Sequence, residues 1–323
     1  MSIKEEAKKK NFQFSRLLDL IFFVISLFTI FGFLSSFNFF LELTSHFRVQ
    51  YSAIIFVFVL IYSFMYKKKW QYLIAALIFL ALNLWVIVPY YWTSGGECFK
   101  IYKEFRILLA NVHTANRQHE KVIKLIEKEK PDLLILQEVD RVWIEKLQYV
   151  CIEYEKRLII PRSDNFGIAV FSKDKKCKLA SYQFIHQGVP SIILKSEDYN
   201  KKYTIISTHL LPPVSRNCAR IRNKQLEEIA KYINHCKNPV ILAGDLNITM
   251  WSHYYCKFIQ RTGLINARKG FGIKPTWPCY IPFMFIPIDH CLHTKDFQVV
   301  NFRTGPQIGS DHLPVIVDIR MKK

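Results

Sequence analysis

Three uncharged apolar runs crowd the first third of the chain and limit what that part can fold into. Residues 20–41 carry no charge between Asp19 and Glu42, and residues 49–66 and 70–92 are likewise uncharged. A bilayer core of ~30 Å is crossed by about 20 apolar residues in a helix. The runs are 22, 18 and 23 residues long and are separated by only seven and three residues, which leaves no amphipathic face for a soluble helix. The pattern predicts a membrane anchor over residues 1–97 with three transmembrane helices, making the chain an integral, multi-pass membrane protein. Trp70, Tyr72, Tyr90, Tyr91 and Trp92 fall at the ends of the third run, where interfacial aromatics belong. The first run is longer than a signal-peptide core and is followed by no small-residue cleavage site, so it reads as an uncleaved anchor.

Short-loop lysines and arginines set the orientation. The N-terminal tail carries Lys4, Lys8, Lys9, Lys10 and Arg16, the second turn carries Lys67, Lys68 and Lys69, and the 42–48 loop carries only Arg48. Tail and lysine turn are expected in the cytoplasm, which sends residues 98–323 to the other side. Lys100, Lys103 and Arg106 pull weakly the other way. All eight cysteines fall beyond residue 97, an even number in a domain placed where disulfides form. At least one disulfide is therefore expected. Cys218 and Cys236 are excluded as a pair if they end one helix, because 18 steps of 1.5 Å hold them ~27 Å apart.

Residues 98–323 hold 36 Lys/Arg against 21 Asp/Glu, a balance of +15. Such a surface favours phosphate-bearing partners: nucleic acid, anionic lipid or phosphorylated metabolites. No arginine-rich arm, zinc-finger spacing or aromatic RNA-binding signature selects among them. Strand-like runs alternate here with amphipathic helical segments at 116–130, 218–234 and 252–262, which implies an α/β domain.

Most of these runs end in polar groups. Phe105–Val112 ends at Asn111, 132–139 at Glu138, 203–209 at His209, 239–247 in Asp245 and Asn247, and 287–293 opens with Asp289. Gly309-Ser310-Asp311-His312 follows near the C-terminus. Acids, amides and histidines delivered to strand ends suit metal-assisted phosphoryl hydrolysis, in which anionic oxygens must be neutralised and water deprotonated in line. Glu138, a charge after Leu-Leu-Ile-Leu-Gln, fits a hard Mg²⁺ ion, with Mn²⁺ as a substitute. Asn111 would hold metal or phosphate oxygens. Asp245 and Asn247 would orient the attacking water. Asp289 bonded to one nitrogen of His312 would make the other a base, and His209 would donate to the phosphoryl oxygen. Taken alone, Ser-Thr-His-Leu reads as a capped loop histidine and Asp-Leu-Asn as an Asx-rich turn.

The set in this order resembles the endonuclease/exonuclease/phosphatase superfamily over roughly residues 105–320. The resemblance implies a four-layer α/β sandwich, two mixed sheets packed face to face with helices outside. It also implies that Asn111, Glu138, Asp245, Asn247, Asp311 and His312 are the metal-binding and catalytic set, completed by His209 and Asp289, with Asp311 close to the metal. The Trp-Cys-Asp-Arg of inositol-polyphosphate 5-phosphatases is replaced by Ile-Pro-Ile-Asp-His, which argues against that branch. Pro-Thr-Trp-Pro at 275–278 is similar to membrane-anchored bacterial members. The implied activity is a divalent-metal-dependent hydrolase of phosphate esters, of nuclease or phospholipid type. The rival reading is a membrane scaffold binding anionic lipid or nucleic acid without catalysis.

Overall fold

The computed structural model describes residues 3–92, 104–197 and 202–322. The chain forms two compact units, Met1–Val88 with Trp251–His253 and Pro89–Met250 with Tyr254–Lys323. The boundary expected at residues 97 and 98 lies outside the described residues, as do Cys98, Lys100 and Lys103.

The first unit is helical: α1 (Ile3–Phe33), α2 (Phe39–Thr44), α3 (Arg48–Phe64) and α4 (Tyr66–Ile87). Three stretches, Phe12–Phe33, Phe39–Phe64 and Lys67–Tyr90, are long and apolar enough to cross a membrane. All three differ in bounds from the expected 20–41, 49–66 and 70–92, the second beginning at Phe39 and the first shifted towards the N-terminus. The helix begins in the charged tail and stops at Phe33, and Asn38 then starts another by accepting the Phe40 N–H at 2.9 Å. Asn, with its side chain competing for backbone donors, favours such an N-cap over a helix interior. The helices meet through Phe22, Ile55, Phe58, Tyr62 and Ala76, while Phe64, Trp85 and Phe56 face outward. Polar contacts pin the inner faces. Tyr62 donates to Asp19 at 3.2 Å, Lys69 pairs with the same carboxylate, and Arg48 donates to the Thr29 carbonyl at 2.9 Å.

The second unit carries two six-stranded sheets. One contains β1 (Phe105–Asn111), β2 (Leu133–Gln137), β3 (Lys156–Ile160), β4 (Ile168–Ser172), β11 (Phe297–Thr304) and β12 (Val315–Met321), in the order β11-β12-β1-β2-β4-β3. The other contains β5 (Cys177–Tyr182), β6 (Ser191–Ser196), β7 (Thr204–Thr208), β8 (Val240–Asp245), β9 (Ile265–Asn266) and β10 (Asp289–His293), in the order β5-β6-β7-β8-β10-β9. Each is mixed, with one parallel pair, β1–β2 in the first and β7–β8 in the second. Alternate residues explain the layering. Ile107, Leu109, Leu133, Ile135, Ile205, Ile241 and Ala243 fill the core between the sheets. Leu108, Ala110, Leu134 and Leu136 face outward onto Val122, Leu125 and Trp143 of α5 (His119–Glu129) and α6 (Arg141–Leu147). Central strands buried on both faces become continuous apolar runs. Two further helices, α7 (Arg216–His235) and α8 (His253–Thr262), complete the order of elements. Arg222 on α7 donates to the Asn247 carbonyl at 3.0 Å, and Gln225 donates to that of Val189 at 3.1 Å.

The seven described cysteines are free thiols, so the expected disulfide is not formed among the described residues. They are spread through the unit. Cys151 packs in the outer layer, Cys177 and Cys291 in the core between the sheets, and Cys218 and Cys236 near opposite ends of α7.

Candidate active site

The parallel register of β1 and β2 sets Asn111 opposite Gln137, and the antiparallel register of β8 and β10 sets Asp245 opposite Asp289. One edge of each sheet therefore delivers polar residues. The sheets approach closely here. A Cβ on Gly244 would lie 1.8 Å from the Thr208 carbonyl oxygen and 2.9 Å from Gln137 Nε2. His113, Glu138 and Asn247, just past strand ends, adopt φ of 60°, 61° and 50°. Non-glycine residues rarely hold this left-handed backbone, and such strain clusters at functional positions.

Asn111 Nδ2 donates to Glu138 Oε1 at 2.7 Å. Glu138 Oε2 is buried and meets no hydrogen-bond partner. Burial pushes the Glu138 carboxyl up despite the Asn111 bond and the nearby His312. A buried carboxylate oxygen without a donor costs free energy that a hard cation would recover, so this residue fits a divalent metal. Asp311 accepts from Trp277 Nε1 at 2.8 Å on Oδ2, and its Oδ1 lies 3.9 Å from His113 Nδ1.

Deeper in the site, His312 Nδ1 bonds Asp289 Oδ2 at 2.9 Å. Its Nε2 stands 3.8 Å from Asp245 Oδ2, and His209 Nε2 stands 3.6 Å from the same oxygen. Asn247 donates its backbone N–H to Asp245 Oδ1 at 2.8 Å and its side-chain amide to the Leu210 carbonyl at 2.8 Å. Ligand atoms of Asp245, Asp289 and His312 lie within 4.8 Å of one another and form a second set able to hold a metal. The Asp289–His312 bond already occupies one lone pair of that set, whereas Glu138 Oε2 has none in use.

Burial sets most of the charges. Alone it would lower His312, but the charge and hydrogen bond of Asp289 outweigh it, with Asp245 adding, and the imidazole is pushed up to about 10. Burial likewise opposes ionisation of Asp289, yet His312 holds that carboxyl below its ordinary value. Asp245 is raised well above its ordinary value by burial and by Asp289. Burial and the His312 charge push His209 down to about 3, and its Nδ1 is buried without a partner.

All eight residues expected from sequence thus converge through contacts in one site. Several neighbours were not expected. Gln137 donates to the Thr208 carbonyl at 2.7 Å and accepts the Asp245 N–H at 3.0 Å. Thr276 Oγ1 accepts the Ile288 and Asp289 N–H groups, and buried Arg268 donates to the Asp289 carbonyl at 2.7 Å. A glutamine inside an otherwise apolar strand was the signal for the first. Trp277 stood in a Pro-Thr-Trp-Pro run, and His113 two residues after Asn111.

The model of the endonuclease/exonuclease/phosphatase family matches residues 105–312. The chain belongs to that family. A search of curated proteins finds no match. Among solved structures it is similar to D. rerio TDP2 complexed with single strand DNA product, at 15% identity and a TM-score of 0.55, over 68% of this chain and 99% of that one. The human Nocturnin catalytic domain with bound sulfate is 18% identical, with a TM-score of 0.55 over 70% and 97%. An endonuclease/exonuclease/phosphatase from Beutenbergia cavernae is 20% identical, with a TM-score of 0.54 over 68% and 72%. At these identities the likeness concerns the fold.

Proposed function

We propose that the chain is a membrane-anchored, divalent-metal-dependent phosphodiesterase. The observation that carries the reading is the Asp245–His312–Asp289 cluster together with Glu138, whose Oε2 is buried without a partner. Glu138, with Asn111 and Asp311 beside it, would hold Mg²⁺ or Mn²⁺. Bound there, the ion supplies positive charge for a phosphoryl oxygen. Asp245 and Asn247 orient the attacking water. The water's proton has its acceptor in the same cluster, where His312 Nε2 stands 3.8 Å from Asp245 Oδ2. His312, held by Asp289 through Nδ1 at 2.9 Å, would take that proton at Nε2, as the dyad expected from sequence implies. His209, neutral, donates a hydrogen bond to a phosphoryl oxygen. The Phe12–Phe33, Phe39–Phe64 and Lys67–Tyr90 helices hold the enzyme in a membrane, with the catalytic unit outside the cytoplasm.

A panel of DNA, RNA, phospholipids and sugar phosphates assayed with Mg²⁺ tests this, with His312→Ala as the blank. The expected result is turnover that EDTA abolishes, Mg²⁺ or Mn²⁺ restores, and His312→Ala reduces about 10²–10⁴-fold. Chelator-resistant turnover, or His312→Ala within a few-fold of wild type, would refute it.

A further inference from the structure

Two uncharged loops leave the site directly. Residues 210–214, Leu-Leu-Pro-Pro-Val, follow His209, and residues 275–288 precede Asp289 without a single charge in a domain of balance +15. The second loop is a braced protrusion. Trp277 and Ile286 pair as an isolated bridge, with the Trp277 N–H donating to the Ile286 carbonyl at 3.0 Å. Its tip is a short 3-10 turn, Pro282–Met284. Tyr280, Ile281, Pro282 and Phe283 are all exposed, Phe283 at 75%, and Val214 on the other loop stands at 78%. The tip is tied to the chemistry. The Cys279 N–H donates to the Asp311 carbonyl at 2.8 Å, Trp277 Nε1 donates to the Asp311 carboxylate, and Gln307 Nε2 donates to Tyr280 Oη at 2.6 Å.

Soluble surfaces scatter single apolar residues, but a contiguous apolar tip marks a contact surface. A nucleic-acid groove would line this rim with lysine and arginine to meet phosphates. Here the two loops themselves carry only aromatic, aliphatic and other uncharged residues, with Lys274 and Arg216 at their borders. Aromatic tips with one polar end settle at membrane interfaces, and basic surfaces are drawn to anionic headgroups. The same chain carries three helices of membrane-crossing length. We infer that the loops 210–214 and 275–288 seat on a bilayer and that the ester presented to Glu138 and His312 is the phosphodiester headgroup of a bilayer lipid. This rests on the hydrolase reading above. The net step is hydrolysis: one P–O ester bond breaks, water's hydroxyl joins phosphorus, and its remaining proton ends on the departing alcohol oxygen.

The test uses the full chain in vesicles of phosphatidylcholine and phosphatidylglycerol with Mg²⁺. It compares kcat/KM for the vesicle lipid with that for a water-soluble diester, bis(p-nitrophenyl) phosphate. I281S/F283S alters two exposed side chains and leaves the Tyr280–Gln307 bond in place. Removing two apolar groups from an interface should lower the lipid-to-soluble ratio by about tenfold or more. Ile152→Ser, on the exposed turn Val150–Glu153 and outside both loops, should leave the ratio unchanged. An unchanged ratio in I281S/F283S would overturn the inference. So would a wild-type enzyme that cleaves the soluble diester or single-stranded nucleic acid but not the vesicle lipid, and the hydrolase reading would then stand. Cleavage of none of them would fail both.

Discussion

Gln137 on β2 joins the two sheets at the site: its Oε1 accepts the backbone N–H of Asp245 on β8 at 3.0 Å, while its Nε2 donates to the Thr208 carbonyl at the end of β7. The residue is fully buried, so both partners would be left unsatisfied by an apolar replacement. An orphaned buried backbone group costs ~1–3 kcal/mol. Gln137→Leu should therefore lower the thermal midpoint of the detergent-solubilised chain, and it should lower kcat by displacing Asp245. Gln137→Glu, which keeps the acceptor and loses the donor, should fall between. An unchanged melting curve in Gln137→Leu would mean that the sheets hold their spacing without this strut.

Glu138→Gln isolates the metal. The change keeps the side chain's size and its contact with Asn111 but deletes the charge that a hard cation requires. Half-maximal Mg²⁺ for turnover should rise about tenfold or more, and stabilisation of the protein by Mg²⁺ against heat should shrink in parallel. Glu127→Gln, on the exposed face of α5, is the matched control. The same Mg²⁺ requirement in Glu138→Gln and wild type would place the ion elsewhere, with Asp245, Asp289 and His312 the next donors to examine.

The pH dependence of stability follows from two buried histidines. His209 and His290 are both pushed down to about 3, chiefly by burial, with the His312 charge acting on the first and Arg268 on the second. His290 is fixed as a neutral ring by its bonds to the Ile248 carbonyl at 2.8 Å and Arg268 at 3.3 Å. In the unfolded chain both titrate near ~6.5. Below that pH the unfolded state binds protons that the fold refuses, so stability falls as pH drops from ~6.5 towards about 3. Each group contributes up to ~1.4 kcal/mol per pH unit. His312 has the opposite sign: raised to about 10, it stabilises fully below ~6.5 and loses that contribution as pH rises through 10. His290→Gln should flatten the decline in urea midpoint between pH 6.5 and 5 relative to wild type. Parallel curves for the two proteins would show that His290 is not held neutral.

Legibility in the sequence followed burial. Strands β1, β2, β4, β7 and β8 are buried on both faces, so each reads as an apolar run with a polar end. The edge strand β5, Cys-Lys-Leu-Ala-Ser-Tyr, is mostly exposed, and β3 opens on Lys156 and Arg157; neither carries a burial pattern to read. The seven-residue α6 depends on one cap, Asp140 Oδ1 accepting the Trp143 N–H at 2.8 Å, a signal too local for periodicity. Apolar counting found the long apolar helices but missed the break at 34–38, because hydropathy does not register a turn made of Leu, Ser and Phe. The polar residues at strand ends stood out in the sequence because each closes or opens an apolar run. Gln137 and Arg268 act from within buried layers, and only the partner strands show what they hold.

Topology gives the last prediction. On the proposed reading, the eight basic residues of the tail (counting Arg16) and the Lys67–Lys69 turn, against four outside, would place both in the cytoplasm. Three crossings, as proposed above, would put the C-terminal unit on the opposite side. Alkaline phosphatase fused after Lys323 should be active, and a fluorescent protein that matures only in the cytoplasm should stay dark. Cys256, a free and exposed thiol, supplies an independent check: a membrane-impermeant maleimide should modify it in intact spheroplasts, and Cys256→Ser should lose most of that labelling. The free thiols among the described residues remove the disulfide argument for this side and leave the charge argument to carry it alone. A bright cytoplasmic reporter together with labelling only after lysis would reverse the orientation. The catalytic unit would then meet the inner leaflet and cytoplasmic nucleic acid, while the Glu138 and His312 tests would be unaffected.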